Sequence, residues 1–97
     1  MTKEKTKRGF AIYKFKDRYD ADCSLQQSSI ATECCVWLGV DDANPQIMAS
    51  KVMENGTGWV KYPILEDVLL TTHMHLTQNQ VKELLPILER FVETGEI

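Results

Sequence analysis

Alternating apolar and polar positions predict several extended segments along the chain. Residues 10–16 form a β-prone run that begins at Phe10, and residues 17–22 are rich in turn-forming aspartates. A second extended run covers residues 23–30, so we expect these two segments to pair as a hairpin. Residues 34–40 carry apolar side chains on both faces of the expected strand. This pattern indicates a central strand, or a strand with one face at an interface.

The middle of the chain is dominated by turn and cap signals. Asn44 followed by Pro45 could cap a short helix across Gln46–Met53, because proline is tolerated at the first helical position. Residues 55–58 then predict a turn, and Trp59–Tyr62 predicts a short strand that ends before a proline.

Residues 68–76 alternate in the manner of a strand with one side on the core. In this pattern Met74 and Leu76 point to the core side, and His73 and His75 point to the other side. The histidines are therefore expected on the less apolar face of this strand.

The C-terminal residues predict an amphipathic helix. Thr77 is the expected N-cap, Gln80 completes a capping box, and Gly95 supplies the stop. Strands grouped before one long helix predict an α+β fold: a mostly antiparallel sheet of about four to five strands with the helix packed on one face. The apolar stripe of the helix consists of Val81, Leu84, Leu85, Leu88, Phe91 and Val92.

Composition indicates one folded domain. The chain has 97 residues, of which 43% are hydrophobic and 26% charged, and these are values of a globular protein. We expect a flexible basic arm at residues 1–9 and a single α+β domain at residues 10–97. No apolar run approaches the ~18 residues that cross a bilayer. The chain has three cysteines, and an odd number fits a reducing compartment, so a cytoplasmic location is expected.

Charge is distributed unevenly along the chain. Residues 1–18 carry seven cations against two carboxylates, whereas residues 19–97 carry four cations against twelve carboxylates. The basic segment is either a solvated, frayed terminus or an arm that binds phosphate or an acidic partner. In the second case the candidate nucleic-acid-binding residues are Lys3, Lys5, Lys7, Arg8, Lys14, Lys16 and Arg18.

The sequence contains no motif that indicates catalysis. His73 and His75 form an H-x-H pair that binds zinc in some enzymes, but a zinc site needs further ligands at suitable positions. We interpret the pair as two histidines on a half-exposed strand. There is no nucleophile elbow, phosphate-binding loop or calcium loop. We therefore expect a protein that is not an enzyme and needs no metal or cofactor.

Aromatic and neutral polar residues are the candidates for binding a macromolecular partner. Trp37, Trp59 and Tyr62 qualify because large aromatics are enriched at the centres of interfaces, although the core also needs some of them. Gln26 and Gln27 lie in a polar run that could form a hydrogen-bonding surface or simply an exposed strand face. The apolar helix and the two tryptophans also make a homodimer a reasonable expectation.

Three blocks of sequence carry a resemblance: the serine- and glutamine-rich run at residues 23–30 with the Trp37 segment, the segment from Gly58 to Pro63, and residues 74–95. Together they resemble a family of small, uncharacterised accessory proteins of bacteriophages and integrated mobile elements. The family usually has an arginine where His73 stands here, which weakens the zinc interpretation. Short proteins of this kind often act on host machinery. The resemblance therefore implies a protein that binds and inhibits a host protein complex, such as a nuclease-based defence system of CRISPR type, in the bacterial cytoplasm. The alternative is a nucleic-acid-binding regulator that uses the basic arm.

Overall fold

The computed structural model describes residues 1–28 and 32–97 of the chain. Within these residues the protein forms a five-stranded antiparallel sheet, a separate two-stranded sheet and one long helix. The expected α+β class with a mostly antiparallel sheet is therefore confirmed. The elements in chain order are β1 (Thr2–Lys5), β2 (Ala11–Lys16), β3 (Asp22–Gln27), β4 (Cys35–Val40), β5 (Gln46–Met48), a short 3-10 helix (Ala49–Lys51), β6 (Trp59–Lys61), β7 (Met74–Thr77) and α1 (Gln78–Thr94).

The large sheet has the strand order β1-β2-β3-β4-β7. Its first four strands follow one another in sequence, and β7 joins the far side of β4 after the excursion that contains the small β5–β6 sheet. All neighbouring strands are antiparallel. Among the described residues, β1 and β7 are therefore the two edge strands of the sheet.

The N-terminal segment forms a strand, which corrects the expectation of an unstructured arm. Residues 2–5 are β1, and they pair with β2 with Lys3 opposite Tyr13. The Lys3 ammonium lies 5.7 Å from the centre of the Tyr13 ring, within the range of a cation–π contact. A lysine-rich segment can be an edge strand because its side chains reach water while its backbone pairs on one side only.

The β2–β3 hairpin is confirmed. Its turn is held by the Asp17 carboxylate, which accepts hydrogen bonds from the amides of Tyr19 and Ala21 at 2.8 and 3.0 Å. Asp20 adopts a positive φ of 64°, a conformation that aspartate tolerates better than most residues. Strand β3 ends at residue 27, and residues 29 and 30 of the predicted strand lie outside the described residues.

The prediction of a short helix across Gln46–Met53 is wrong. Residues 46–48 form β5 and pair with β6, and only a single turn of 3-10 helix follows. Asn44 has a φ of 44°, whereas a helix N-cap needs an extended backbone, so this residue cannot provide the cap that the sequence suggested. Cross-strand pairing of Ile47 with Val60 decides the structure instead.

The boundaries of α1 follow the sequence prediction. The Thr77 side chain accepts a hydrogen bond from the amide of Gln80 at 3.1 Å, and the Gln80 side chain accepts one from the amide of Thr77 at 2.9 Å. Gly95 ends the helix with a left-handed φ of 76°. The helix continues through Pro86. Both ends are therefore set by local signals.

The packing of α1 on one face of the sheet, which the sequence suggested, is not observed. No residue of α1 is buried, and the element that it mainly contacts is β7, the strand directly before it. Strand β7 ends at Thr77 and the helix begins at Gln78, so no loop separates them. Because a chain needs a connecting loop to fold a helix back over the preceding strand, this junction holds α1 at the edge of the sheet.

The two faces of the sheet differ in chemistry. One face, here called the Leu25 face, carries Leu25 with its cross-strand neighbours Tyr13 and Leu38. The opposite face, here called the Ser24 face, carries the row Ile12, Gln26, Trp37 and His75 as well as Ser24. No helix among the described residues is long and apolar enough to span a membrane. The most buried apolar side chains in the described part of the chain are those of Ile12, Cys23, Cys35 and Ala49.

Candidate functional site

Three polar side chains that are distant in sequence meet on the Ser24 face. Asp41 directly follows β4, and its Oδ1 atom accepts a hydrogen bond from the Ser24 hydroxyl at 2.6 Å. The same oxygen accepts a hydrogen bond from Nε2 of His73 at 2.9 Å. Ser24 Oγ and His73 Nε2 are 3.4 Å apart. Ser24 is only 2% exposed, so this polar cluster fixes the end of β4 between β3 and the segment that enters β7.

A glycine makes the close approach in this cluster possible. Gly39 lies opposite Ser24 in the register between β3 and β4. A Cβ atom at Gly39 would press on the Thr72 carbonyl oxygen and would lie 2.7 Å from the Cα of His73. The absence of a side chain at Gly39 therefore lets the chain bring His73 within reach of Asp41.

The electrostatics of the cluster stabilise a charged carboxylate. Burial by itself raises the pKa of Asp41, but hydrogen bonds from Ser24 and His73 outweigh it, and the pKa is lowered from its ordinary value. The imidazole nitrogen nearest to the serine hydroxyl is the one that bonds to Asp41. A serine nucleophile needs a base that is free to take its proton. The geometry of Ser24, Asp41 and His73 is better suited to linking strands than to nucleophilic attack.

The second histidine has its own partners. Nε2 of His75 lies 3.0 Å from the Ser28 hydroxyl. Its ring stacks on Trp37 with a centroid distance of 3.9 Å and an interplanar angle of 8°. The H-x-H pair is thus divided between two hydrogen-bonded positions. In residues 1–28 and 32–97, no group of three or more His, Cys, Asp and Glu side chains is placed to hold a metal ion.

The residues predicted to bind a partner lie in different parts of the structure. Trp37 is partly buried and stacked on His75, and Gln26 is its cross-strand neighbour on the Ser24 face. Gln27 is exposed on the opposite face. Trp59 and Tyr62 lie on or beside the small β5–β6 sheet, with exposed fractions of 66% and 46%. The structure therefore does not bring the predicted partner-binding residues together as one surface.

The small sheet presents an exposed apolar pair. Trp59 lies directly opposite Met48, and Met48 is 47% exposed. The neighbouring pair, Ile47 and Val60, points to the other side and is less exposed. We call the exposed pair of Met48 and Trp59 the Trp59 surface; Tyr62 follows β6, and strand alternation places it on the Val60 side. The sequence analysis missed Met48, because its position beside Trp59 depends on pairing between residues eleven positions apart.

The basic residues of the N-terminal segment are spread over both sides of the sheet. Lys3 and Lys5 share a side with the Leu25 face, whereas Lys14 and Lys16 share a side with the Ser24 face. Lys16 forms a 2.9 Å ion pair with Asp22, and this hydrogen bond raises the pKa of the lysine. The strand geometry thus divides the basic residues that the sequence groups in one segment. The remaining basic residues of that segment are Lys7, Arg8 and Arg18, in the turns before and after β2.

Comparisons with known proteins do not identify a relative. No model of a protein family matches the chain, no curated protein matches it, and no solved structure matches it. What the structure defines is the class: an α+β protein with a five-stranded antiparallel sheet and a C-terminal helix.

Proposed function

We propose that this protein is a non-enzymatic accessory protein of a phage or mobile element, which binds and inhibits a host protein complex in the bacterial cytoplasm. A nuclease-based defence system of CRISPR type is the first target to examine. The setting comes from the resemblance of the three sequence blocks. The observation that supports binding is the Trp59 surface.

The Trp59 surface has the chemistry of a protein-binding site. Tryptophan is among the residues that dominate the energetics of interfaces, since it buries a large area at a small cost in side-chain entropy. Methionine adapts its shape to the partner surface. A tryptophan that is 66% exposed and paired with a half-exposed methionine contributes little to the core of the free protein. The exposure therefore favours a role in association with another molecule.

The polar cluster of Ser24, Asp41 and His73 supports the non-enzymatic part of the proposal. Ser24 donates to a carboxylate whose pKa is lowered, and such a carboxylate is a weak base for activating a hydroxyl. Nucleic-acid binding through the basic segment is the alternative. It is less favoured because Lys3 and Lys14 lie on opposite sides of the sheet, so these basic residues do not form one positive patch.

The test is a capture experiment with variants. Tagged wild-type protein, Trp59→Ala and Tyr19→Ala are incubated with host lysate, with and without nuclease, and captured proteins are measured by quantitative mass spectrometry. Tyr19 is the matched control, because it is an aromatic residue that is 89% exposed in the β2–β3 turn. We expect one host complex to survive nuclease treatment, to bind the Tyr19→Ala protein normally, and to bind Trp59→Ala about 30-fold more weakly.

The activity of the captured complex is then measured with increasing amounts of the purified protein. Inhibition by wild type and Tyr19→Ala, and a loss of inhibition by Trp59→Ala, would support the proposal. Capture that is equal for all three proteins would contradict the role of the Trp59 surface. Capture that disappears with nuclease would favour the nucleic-acid-binding alternative.

A further inference from the structure

We infer that the C-terminal helix and the open Leu25 face form an interface between two copies of this chain. In this arrangement α1 of each copy lies over the Leu25 face of the other. The interface is distinct from the Trp59 surface, and it does not depend on which host molecule the protein binds.

The first observation is that α1 lacks the contacts that stabilise a helix. Its apolar stripe is open to water, with Leu85, Leu88 and Phe91 between 50% and 53% exposed. The helix has 17 residues, and most of the stability of a helix in a protein comes from packing of its amphipathic face. The interior residue Pro86 destabilises it further, because proline removes a backbone hydrogen bond and clashes with the preceding turn. A well-defined helix of this sequence therefore needs a covering surface.

The second observation is a groove beside the helix. A concave space of about 570 Å³ lies between α1 and the Leu25 face. The sheet supplies its floor and the first two turns of the helix supply one wall. We call this space the α1 groove. Its main apolar lining residues are Tyr13, Leu25, Val36, Leu76, Val81 and Leu85.

The third observation is the size of the exposed surface. The chain exposes 8395 Å², whereas a compact monomer of 11.1 kDa exposes about 5,700 Å². Its radius of gyration is 17.5 Å, against about 12.5 Å for a compact domain of this length. The excess area is about 2,700 Å², and a standard interface buries about 800 Å² on each partner. One extensive interface of the kind found in obligate homodimers would account for much of this excess.

The helix of the same molecule cannot fill the α1 groove. The chain passes from Thr77 in β7 to Gln78 in α1 without a loop, and the capping box fixes this junction. Folding α1 back over its own sheet would require the first helical turn to unwind. The groove is therefore open to a helix from another chain.

A second copy fits the groove for three reasons. A helix that lies in an apolar groove must repeat apolar residues with helical spacing, and α1 has this stripe. A two-fold arrangement also covers both helices and both grooves with one kind of contact. The net charge of −3 is too small for two copies to repel each other strongly.

The first test is the mass in solution, measured by light scattering and by sedimentation across a range of concentrations. We expect wild-type protein to have twice the 11.1 kDa mass of the chain. Leu88→Glu would place an unpaired charge in each half of the interface and should raise the dimer dissociation constant at least about 100-fold. Leu65→Glu is the matched control, because Leu65 is 82% exposed and lies outside α1. This control should remain dimeric.

A protein concentration of about 100 μM lies far above the dissociation constant expected for a stable dimer. A monomeric mass for wild-type protein at that concentration would overturn the inference. So would a Leu88→Glu protein that remains dimeric.

A second measurement uses no variant: a mixture of isotope-labelled and unlabelled wild-type chains is examined by NMR for contacts between copies. Methyl contacts between Leu88 of one copy and Leu25 or Val36 of the other are expected, and a dimer without contacts from α1 to the Leu25 face would refute the arrangement. The Trp59→Ala protein should remain dimeric, which separates this inference from the proposed function.

Discussion

Replacement of Asp41 tests the polar cluster directly. In Asp41→Ala, the Ser24 hydroxyl loses the acceptor that it reaches at 2.6 Å, and His73 loses its acceptor at 2.9 Å. The two losses differ in cost. Ser24 is 2% exposed, so water cannot readily replace the carboxylate. The His73 side chain is 21% exposed and can be hydrated in part.

The magnitude follows from this difference in exposure. A buried hydroxyl left without a partner costs about 1–3 kcal/mol, and the hydrated histidine adds less. We therefore expect Asp41→Ala to lower the free energy of unfolding by about 2 kcal/mol. Asp41→Asn keeps an acceptor oxygen but loses the charge. Because hydrogen bonds to charged groups are stronger than neutral ones, it should lower the free energy of unfolding by about 1 kcal/mol.

The effect should depend on pH in a defined direction. The folded-state pKa of Asp41 lies below its ordinary value, so the carboxylate contributes stability that is fully present above the unfolded-state pKa. That contribution is lost as the pH falls through the lower folded-state pKa. The difference in unfolding free energy between wild type and Asp41→Asn should therefore be constant above about pH 5 and should shrink towards pH 3.

The assay is urea denaturation followed by far-UV circular dichroism at one fixed protein concentration, because association would couple to stability. Asp67→Ala, which removes a carboxylate at an exposed position, is the control. If Asp41→Ala and Asp67→Ala unfold with the same free energy, the cluster does not stabilise the fold. If the Asp41→Asn difference is unchanged at low pH, the charge of Asp41 is not its source.

Two further substitutions test the close approach at Gly39 and the N-cap of α1. Gly39→Ala should lower the free energy of unfolding by about 1–3 kcal/mol, because its methyl group would overlap the backbone at Thr72. An unchanged thermal unfolding temperature would contradict this close approach. Thr77→Ala removes the N-cap of α1 and should lower the free energy of unfolding in urea by about 1 kcal/mol. Thr77→Ser retains the hydroxyl and should unfold like wild type. Equal stability of the two Thr77 variants would show that the cap is unimportant.

Local signals were sufficient for some elements and insufficient for others. The ends of α1 could be predicted to the residue, because Thr77, Gln80 and Gly95 act through contacts within one turn of the helix. The segment from Gln46 was predicted as a helix because Asn44 and Pro45 resemble a helix start. Its actual conformation depends on pairing with β6, which no local pattern encodes.

The candidate site was harder to predict than the fold. Ser24 lies in the polar run at residues 23–30, and Asp41 directly follows the apolar strand at residues 34–40, so neither belongs to a recognisable motif. They meet His73 only because β4 pairs with both β3 and the chain before β7, which brings residues 24, 41 and 73 to one place. The packing of α1 was mispredicted for a related reason. Amphipathicity indicates that one face of a helix favours burial, but it does not show what covers that face.

The late return of β7 to the sheet has a consequence for how the chain folds. Strands β1 to β4 are neighbours in both sequence and space, so they can pair through short loops. Strand β7 reaches β4 only after more than thirty residues, and closing that loop carries a larger entropic cost. We expect the four-stranded meander to form early and β7 with α1 to join last. During synthesis, the edge of β4 therefore stays open until β7 has left the ribosome.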